Sequence, residues 1–209
     1  MLETAIITFT TFFATIGPVD VAVIYAAMTK NSTARNKRTM AVRGTLIAMV
    51  ILVCFALMGE TLLKTLGISL AALKFSGGIL LLLIAIDMVF ARSSGGSSTT
   101  DEETQEGAGK ADVSVFPLAT PLIAGPGSMG AIMLLMAKAR DDLANQLIVV
   151  AVMIVVLLIT LVLLLLANKV QKLLGITGIH VISRVFGVIL AALAVQFMFD
   201  GIAHSGLLG

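Results

Sequence analysis

Two Gly-Pro pairs stand inside apolar segments of this chain, and each is followed at once by a group that can bind. Gly17-Pro18-Val19-Asp20 supplies a carboxylate, and Gly125-Pro126-Gly127-Ser128 supplies a hydroxyl with glycine backbone on either side. Proline removes a backbone donor and clashes with the carbonyl one turn earlier, so a helix cannot run smoothly through either pair. A helix that restarts after such a break presents free N–H groups and a partial positive charge, which suits a carboxylate. A carboxylate at membrane depth is expensive unless paired or solvated, so Asp20 is a functional candidate by default. It could hold an ammonium group, accept a coupling proton, or cap the second half-helix as an N-terminal acceptor. The plainer reading of both pairs is that Gly and Pro kink membrane helices and let neighbours pack closely.

Asp87, near the end of another apolar segment, is a second candidate for ion coupling, against an interfacial residue within reach of Arg92 or water. Gln196 reads as a buried interhelical hydrogen bonder, and Glu60 with Lys64 as an i,i+4 ion pair. Lys74, Arg184 and Asp200 mark span ends. His180 and His204 lack metal-ligand spacing, and no metal or organic cofactor is expected. There is no phosphate-loop motif, no G-x-S-x-G and no H-E-x-x-H, so direct ATP drive and the familiar hydrolases are not indicated, and an enzyme is not expected.

The elements that must position these residues are membrane spans. Of 209 residues, 58% are hydrophobic and 12% charged, with mean hydropathy +1.08, far more apolar than a soluble domain. A net charge of +2 gives no case for nucleic acid. Cys54 is the one cysteine, which leaves no intrachain disulfide, and its neighbours suggest packing. The N-terminus lacks a basic leader region and reads as the start of the first span. At about 20 apolar residues per span, six are expected: Ile6–Met28, Gly44–Leu63, Ile68–Phe90, Val115–Ala137, Leu147–Ala167 and Ile179–Ile202. The Ser-, Gly- and acid-rich stretch Ser93–Asp112 reads as a flexible surface loop. The organisation is therefore a first three-helix unit over 1–91, a polar cytoplasmic linker over 92–114 and a second unit over 115–209.

If the basic stretch Lys30–Arg43 is cytoplasmic, it shares that side with Arg92, Lys110, Lys169, Lys172 and Arg184, against Lys64, Lys74, Lys138 and Arg140 opposite. The positive-inside rule then puts both termini outside the cytoplasm. The halves also repeat. Gly17-Pro18 recurs as Gly125-Pro126 and Leu66-Gly67-Ile68 as Leu174-Gly175-Ile176, both at a shift of 108. One inserted residue later, Gly78, Leu81 and Ala85 match Gly187, Leu190 and Ala194, and Asp87 matches Gln196. Three spans per copy make the repeat inverted, and two interrupted spans at matching places point to a transporter's binding site. The expected fold is all-α and polytopic, with two inverted three-helix repeats and broken helices 1 and 4.

The basic loop TARNKRTMAVRG, the segment KFSGGILLLLIAIDMVF, the run FPLATPLIAGPGSMGAIMLL and the ending SRVFGVILAALAVQFMFDGI together resemble the MarC family of prokaryotic inner-membrane proteins. The resemblance covers nearly the whole chain outside Ser93–Asp112. At the first break, where many relatives carry an Asp-Pro-x-Gly-Asn type sequence, this chain has Gly17-Pro18-Val19-Asp20. The resemblance implies a multi-pass carrier of small neutral amino acids such as glycine and alanine in the inner membrane. Such a carrier would couple to H+ or Na+ and line its site with Gly17, Pro18, Asp20, Gly125, Pro126, Gly127 and Ser128. An oligomer is compatible with this. The competing readings are a carrier or exporter of another small metabolite or drug, and a non-transporting membrane scaffold.

Overall fold

In hydrocarbon every backbone N–H and C=O must find a partner within the protein, so an apolar chain of this composition resolves into helices. The computed structural model describes residues 1–90 and 112–205, and among these no strand occurs. The helices are α1 (Leu2–Ile16), α2 (Pro18–Met28), α3 (Ala34–Thr65), α4 (Leu70–Phe90), α5 (Ser114–Ile123), α6 (Pro126–Lys138), α7 (Leu143–Leu165) and α8 (Ala167–Ala203). Five stretches are long and apolar enough to span a bilayer: Leu2–Met28, Ala34–Gly59, Leu70–Phe90, Leu143–Leu165 and His180–Ala203. The bent pair α5 and α6, at 52° to one another, brings the number to six. The linker expected over 92–114 lies, up to residue 111, outside the described residues, as do the side chains of Glu60 and Lys64.

Helices run further into the polar stretches than apolar length alone indicates. Most of the basic stretch 30–43 is the first turns of α3, so the connection from α2 shrinks to residues 29–33. Its good helix formers, Ala, Arg and Lys, carry no glycine or proline to stop it before Gly44. α8 likewise begins at Ala167, twelve residues before the expected sixth span. Between α3 and α4 the turn uses Gly67 at φ 68°, a left-handed conformation open to glycine without steric cost. Asp142 caps α7, accepting from the N–H groups of Ala144 and Asn145.

The most extensive helix pairing is α4 with α8. A Cβ added at Gly78 would sit 2.7 Å from the Ala194 carbonyl oxygen, and one at Gly187 would sit 3.1 Å from that of Ala85. The pairing is therefore antiparallel and reciprocal, with Leu81 and Leu190 both fully buried midway between the glycine contacts. The broken spans follow a matching pattern. α1 and α2 pack on α7, while α5 and α6 pack on α3; α1 meets α6, and α2 meets α5. The outer surface is apolar side chain, including Leu147, Leu158, Val162, Val188 and Phe199, as a lipid-facing surface requires. Cys54 is on that outer surface and not in the packed interior, because α3 turns its other face to the protein.

Candidate functional site

The two breaks are built alike and finished differently. α1 ends on Gly17, whose φ of 60° is left-handed, and α2 restarts with Pro18 in its first turn. Without a Cβ, Gly17 takes this conformation at no steric cost, and α1 and α2 run on as one span, Leu2–Met28. Its N–H donates to Phe13 O at 3.1 Å, and its own carbonyl accepts from Val21 at 2.9 Å. The N–H groups of Val19 and Asp20 thus precede the first intrahelical bond of α2. Asp20 occupies the third position of that helix, where a negative charge is favoured by the dipole.

The Asp20 carboxylate reaches across to the last span. Ser183 Oγ on α8 lies 2.8 Å from Asp20 Oδ2 and 3.0 Å from Oδ1, so its single proton is shared between the two oxygens. One turn further along α8, the ring of Phe186 approaches that of Phe13 on α1 to 4.4 Å between centroids. Between the two contacts lies a narrow space of about 10 Å³ lined by Phe13, Gly17, Asp20, Met88, Ser183 and Phe186. That is space for about one water. Ser183 is buried and bonds a carboxylate 163 residues away in sequence. Sequence reading missed it, because a serine in an apolar helix carries no sign of a distant acid.

The second break opens with an irregular half. Phe116 and Thr120, each before a proline, are extended and not helical, as proline demands of the residue preceding it. Both following peptide bonds, Phe116-Pro117 and Thr120-Pro121, are cis. The remaining bonds are wide: Leu118 N–H donates to Val113 O at 3.1 Å, and Ala124 N–H to Ala119 O at 2.8 Å. Gly125 is extended and Pro126 begins α6. A Cβ at Gly125 would lie 2.4 Å from Pro121 O, so only glycine fits. Ser128, the register partner of Asp20 at the shift of 108, is buried and turns back on its own loop. Its hydroxyl lies 2.8 Å from Ile123 O and 3.1 Å from Gly125 O, the latter also accepting from Met129 N–H at 3.0 Å.

Gly125, Gly127 and Ser128 are buried, whereas Pro126 is exposed. The cavity at Asp20 is lined from the first break, α4 and α8, with no residue of the second. Asp87 is the neighbour of Met88, which lines the cavity. Gln196 differs from the sequence reading: it is exposed and its amide donates to Asp200 Oδ1 at 2.9 Å, one turn along the same helix. Arg184 is also exposed. Lys138 Nζ is 3.8 Å from Asp200 Oδ2.

A threonine row on α1 was also missed. Thr8, Thr11 and Thr15 are buried on one face, at helical spacing that leads towards Gly17. Thr11 and Thr15 return their hydroxyls to carbonyls one turn back, while Thr8 Oγ1 has no partner among the described residues. The row starts at a second cavity, of about 200 Å³, lined by Glu3, Thr4, Ile7, Leu135, Lys138 and Asn145 among others, where Thr4 Oγ1 donates to Asn145 Oδ1 at 2.9 Å. Hydroxyls spaced along apolar helices are the only sequence sign, and most such residues simply bond their own backbone.

The model of a family described as MarC family integral membrane protein matches residues 2–205 of the chain. The UPF0056 membrane protein MJ1677 of Methanocaldococcus jannaschii is 37% identical over 201 residues, covering 96% of this chain and 97% of that protein. The UPF0056 membrane protein YvbG of Bacillus subtilis is 30% identical, covering 93% and 92%. The UPF0056 inner membrane protein YhgN of Escherichia coli is 32% identical, covering 86% of each. No solved structure matches the chain. A single family signature that runs from the first turn of α1 to the end of α8 takes in both breaks and the α4–α8 pairing, and the chain belongs to the MarC family of integral membrane proteins.

Proposed function

We propose that the protein is a secondary transporter of small neutral amino acids, of the glycine or alanine type, working by alternating access in the prokaryotic inner membrane. The observation that carries this reading is the Asp20–Ser183 contact across the first break. It places a carboxylate, a hydroxyl donor and the start of a half-helix around one small space. A zwitterion asks for such a set: an acceptor for its ammonium, and helix N–H groups for its carboxylate. The N-terminal turns at Pro18 and at Pro126, Gly127 and Ser128 would supply those N–H groups from the two sides. Asp20 would carry coupling to H+ or Na+, with Asp87 as the second candidate.

The reciprocal α4–α8 glycine contacts and the exchange of packing partners between the halves support an inverted repeat. A repeat of that kind lets one cavity open to either side in turn. Separation of α8 from α1 and α2 would part Phe13 from Phe186 and Ser183 from Asp20, enlarging the cavity. Both termini would face away from the cytoplasm by the distribution of Lys and Arg. Import and export are both open to such a carrier, since its direction follows the gradients. A space of only about 10 Å³ is also what a non-transporting scaffold would show.

Thermal stabilisation of the purified protein across a panel of amino acids, at several pH values and with or without sodium, tests the substrate class. A ligand that binds only the folded state raises its stability by mass action. A shift confined to glycine, alanine or serine is expected, and its ion dependence names the coupling. To separate carrier from scaffold, cysteines are placed at Asp20 and Ser128 in a Cys54→Ala background. Both should react with polar thiol reagents in a carrier, and neither in a scaffold.

A further inference from the structure

One cavity lies away from both breaks, where the basic end of α3 meets the junction of α7 and α8. Its volume is about 390 Å³, and Tyr25, Lys37, Arg38, Leu164, Leu165 and Asn168 are among its lining residues. From this juxtaposition we infer that the protein has a binding site for the phosphate headgroup of an anionic phospholipid. Lys37 and Arg38 hold the phosphate, and the glycerol and upper acyl chain lie along Leu164 and Leu165.

Four observations converge on that ligand. Two cations one residue apart enter the same cavity, and among the described residues that line it none carries a carboxylate. The acid nearest in sequence to α5, Asp112, is engaged by Arg43, 3.0 Å from its Nη1. The backbone under the cations is fixed, because the Tyr25 hydroxyl donates to the carbonyl of Lys37 and Thr29 Oγ1 donates to Tyr25 O at 2.7 Å. The opposite wall is hydrocarbon at the end of a span, formed by the buried Leu164 and by Leu165, which is 46% exposed. A soluble anion has no use for that wall, whereas a lipid fills both halves of the cavity. Basic pockets between spans at the membrane surface take anionic headgroups for these reasons. The site is independent of the transport reading, since no residue of either break lines it.

The test uses the purified full chain in a mild non-ionic detergent, with thermal stability read against added phosphatidylglycerol, phosphatidylcholine or inorganic phosphate. Phosphatidylglycerol should stabilise the protein and the other two should not. Apparent affinity for phosphatidylglycerol should fall about fivefold for each of Lys37→Gln and Arg38→Gln, and about 30-fold for the pair. Arg35→Gln, on the same helix but outside the cavity lining, should leave it unchanged. Arg38 is exposed, so its single variant carries the test if the double variant does not fold. Equal stabilisation by phosphatidylcholine, an equal loss in Arg35→Gln, or a shift reproduced by inorganic phosphate would overturn the assignment. The first outcome would leave no charge recognition, the second only a diffuse basic surface, and the third a soluble-anion site.

Discussion

At the first break the helix stops on left-handed Gly17 and the third residue of the new helix sends its carboxylate to another span. At the second, the chain passes through ten residues of irregular, wide-turned backbone before α6 begins, and the third residue of that helix folds its hydroxyl back onto the loop. The two start from the same Gly-Pro pair in the same register. The first leaves its polar group available to a partner that can move away. The second consumes its polar group in holding its own shape. On the proposed transport reading, the first break makes the contact that must part, and the hydroxyl of the second holds its own loop in shape.

The sharpest way to break that comparison is through the two glycines. Gly125→Ala sets a methyl against the Pro121 carbonyl, a backbone atom that cannot step aside, and should cost about 3 kcal/mol as overpacking. Gly17→Ala meets no atom closer than 3.3 Å, the Asp20 Oδ2, so its cost is the left-handed backbone alone, about 1–2 kcal/mol. Denaturation of the two variants in detergent checks the order. The reverse order would mean that the first break, and not the second, is the rigid one.

Ser128→Ala removes the hydroxyl that bonds the Ile123 carbonyl from within the loop. It should cost about 1 kcal/mol of stability, the ordinary net value of one hydrogen bond. A fall in melting temperature with no added amino acid present is the sign that this hydroxyl supports the loop.

How much of this the sequence discloses depends on the kind of force involved. Apolar runs long enough to span a bilayer, and prolines that must interrupt them, are local facts, so the spans and both breaks are legible from residues such as Gly17, Pro18, Gly125 and Pro126. The small residues of the α4–α8 contact are visible as a repeat, Gly78 and Ala85 recurring as Gly187 and Ala194, but a repeat does not say that its two copies pack on one another. The partner of Asp20 is not legible, since Ser183 is joined to it only by the packing of α2 on α8. Gln196 is misplaced for a related reason. Its register with Asp87 fixes where it falls along the helix, but rotation about the axis turned it outward to Asp200. The shape of α5 is hidden because two prolines forbid a regular helix without specifying what replaces it.

A smaller effect belongs to the loop end of the second broken span. Hydrogen bonding from Ser114, whose N–H donates to Asp112 Oδ1 at 2.8 Å, with Arg43 alongside, holds the Asp112 carboxyl below the ordinary carboxylate range. A depressed carboxyl stabilises the fold above its unfolded pKa, and that contribution is lost as pH falls through the folded value. Asp112 is half exposed, so the loss should stay under about 1 kcal/mol. Comparison of Asp112→Asn with the parent chain, at neutral pH and below the carboxylate range, should show a small gap that closes in acid. No such dependence is expected from the second break itself, where Ser128 does not titrate.

The most direct measurement is alanine transport in proteoliposomes by Asp20→Asn, with gradient-driven accumulation and melting temperature read on the same preparation. If the first break is the working contact, accumulation falls by about tenfold or more, as expected for loss of a charge-assisted bond to substrate or coupling ion. The melting temperature stays near that of the parent chain, because asparagine still accepts from Ser183. Accumulation equal to the parent's in a well-folded Asp20→Asn protein would contradict the account and remove the Asp20–Ser183 contact from transport.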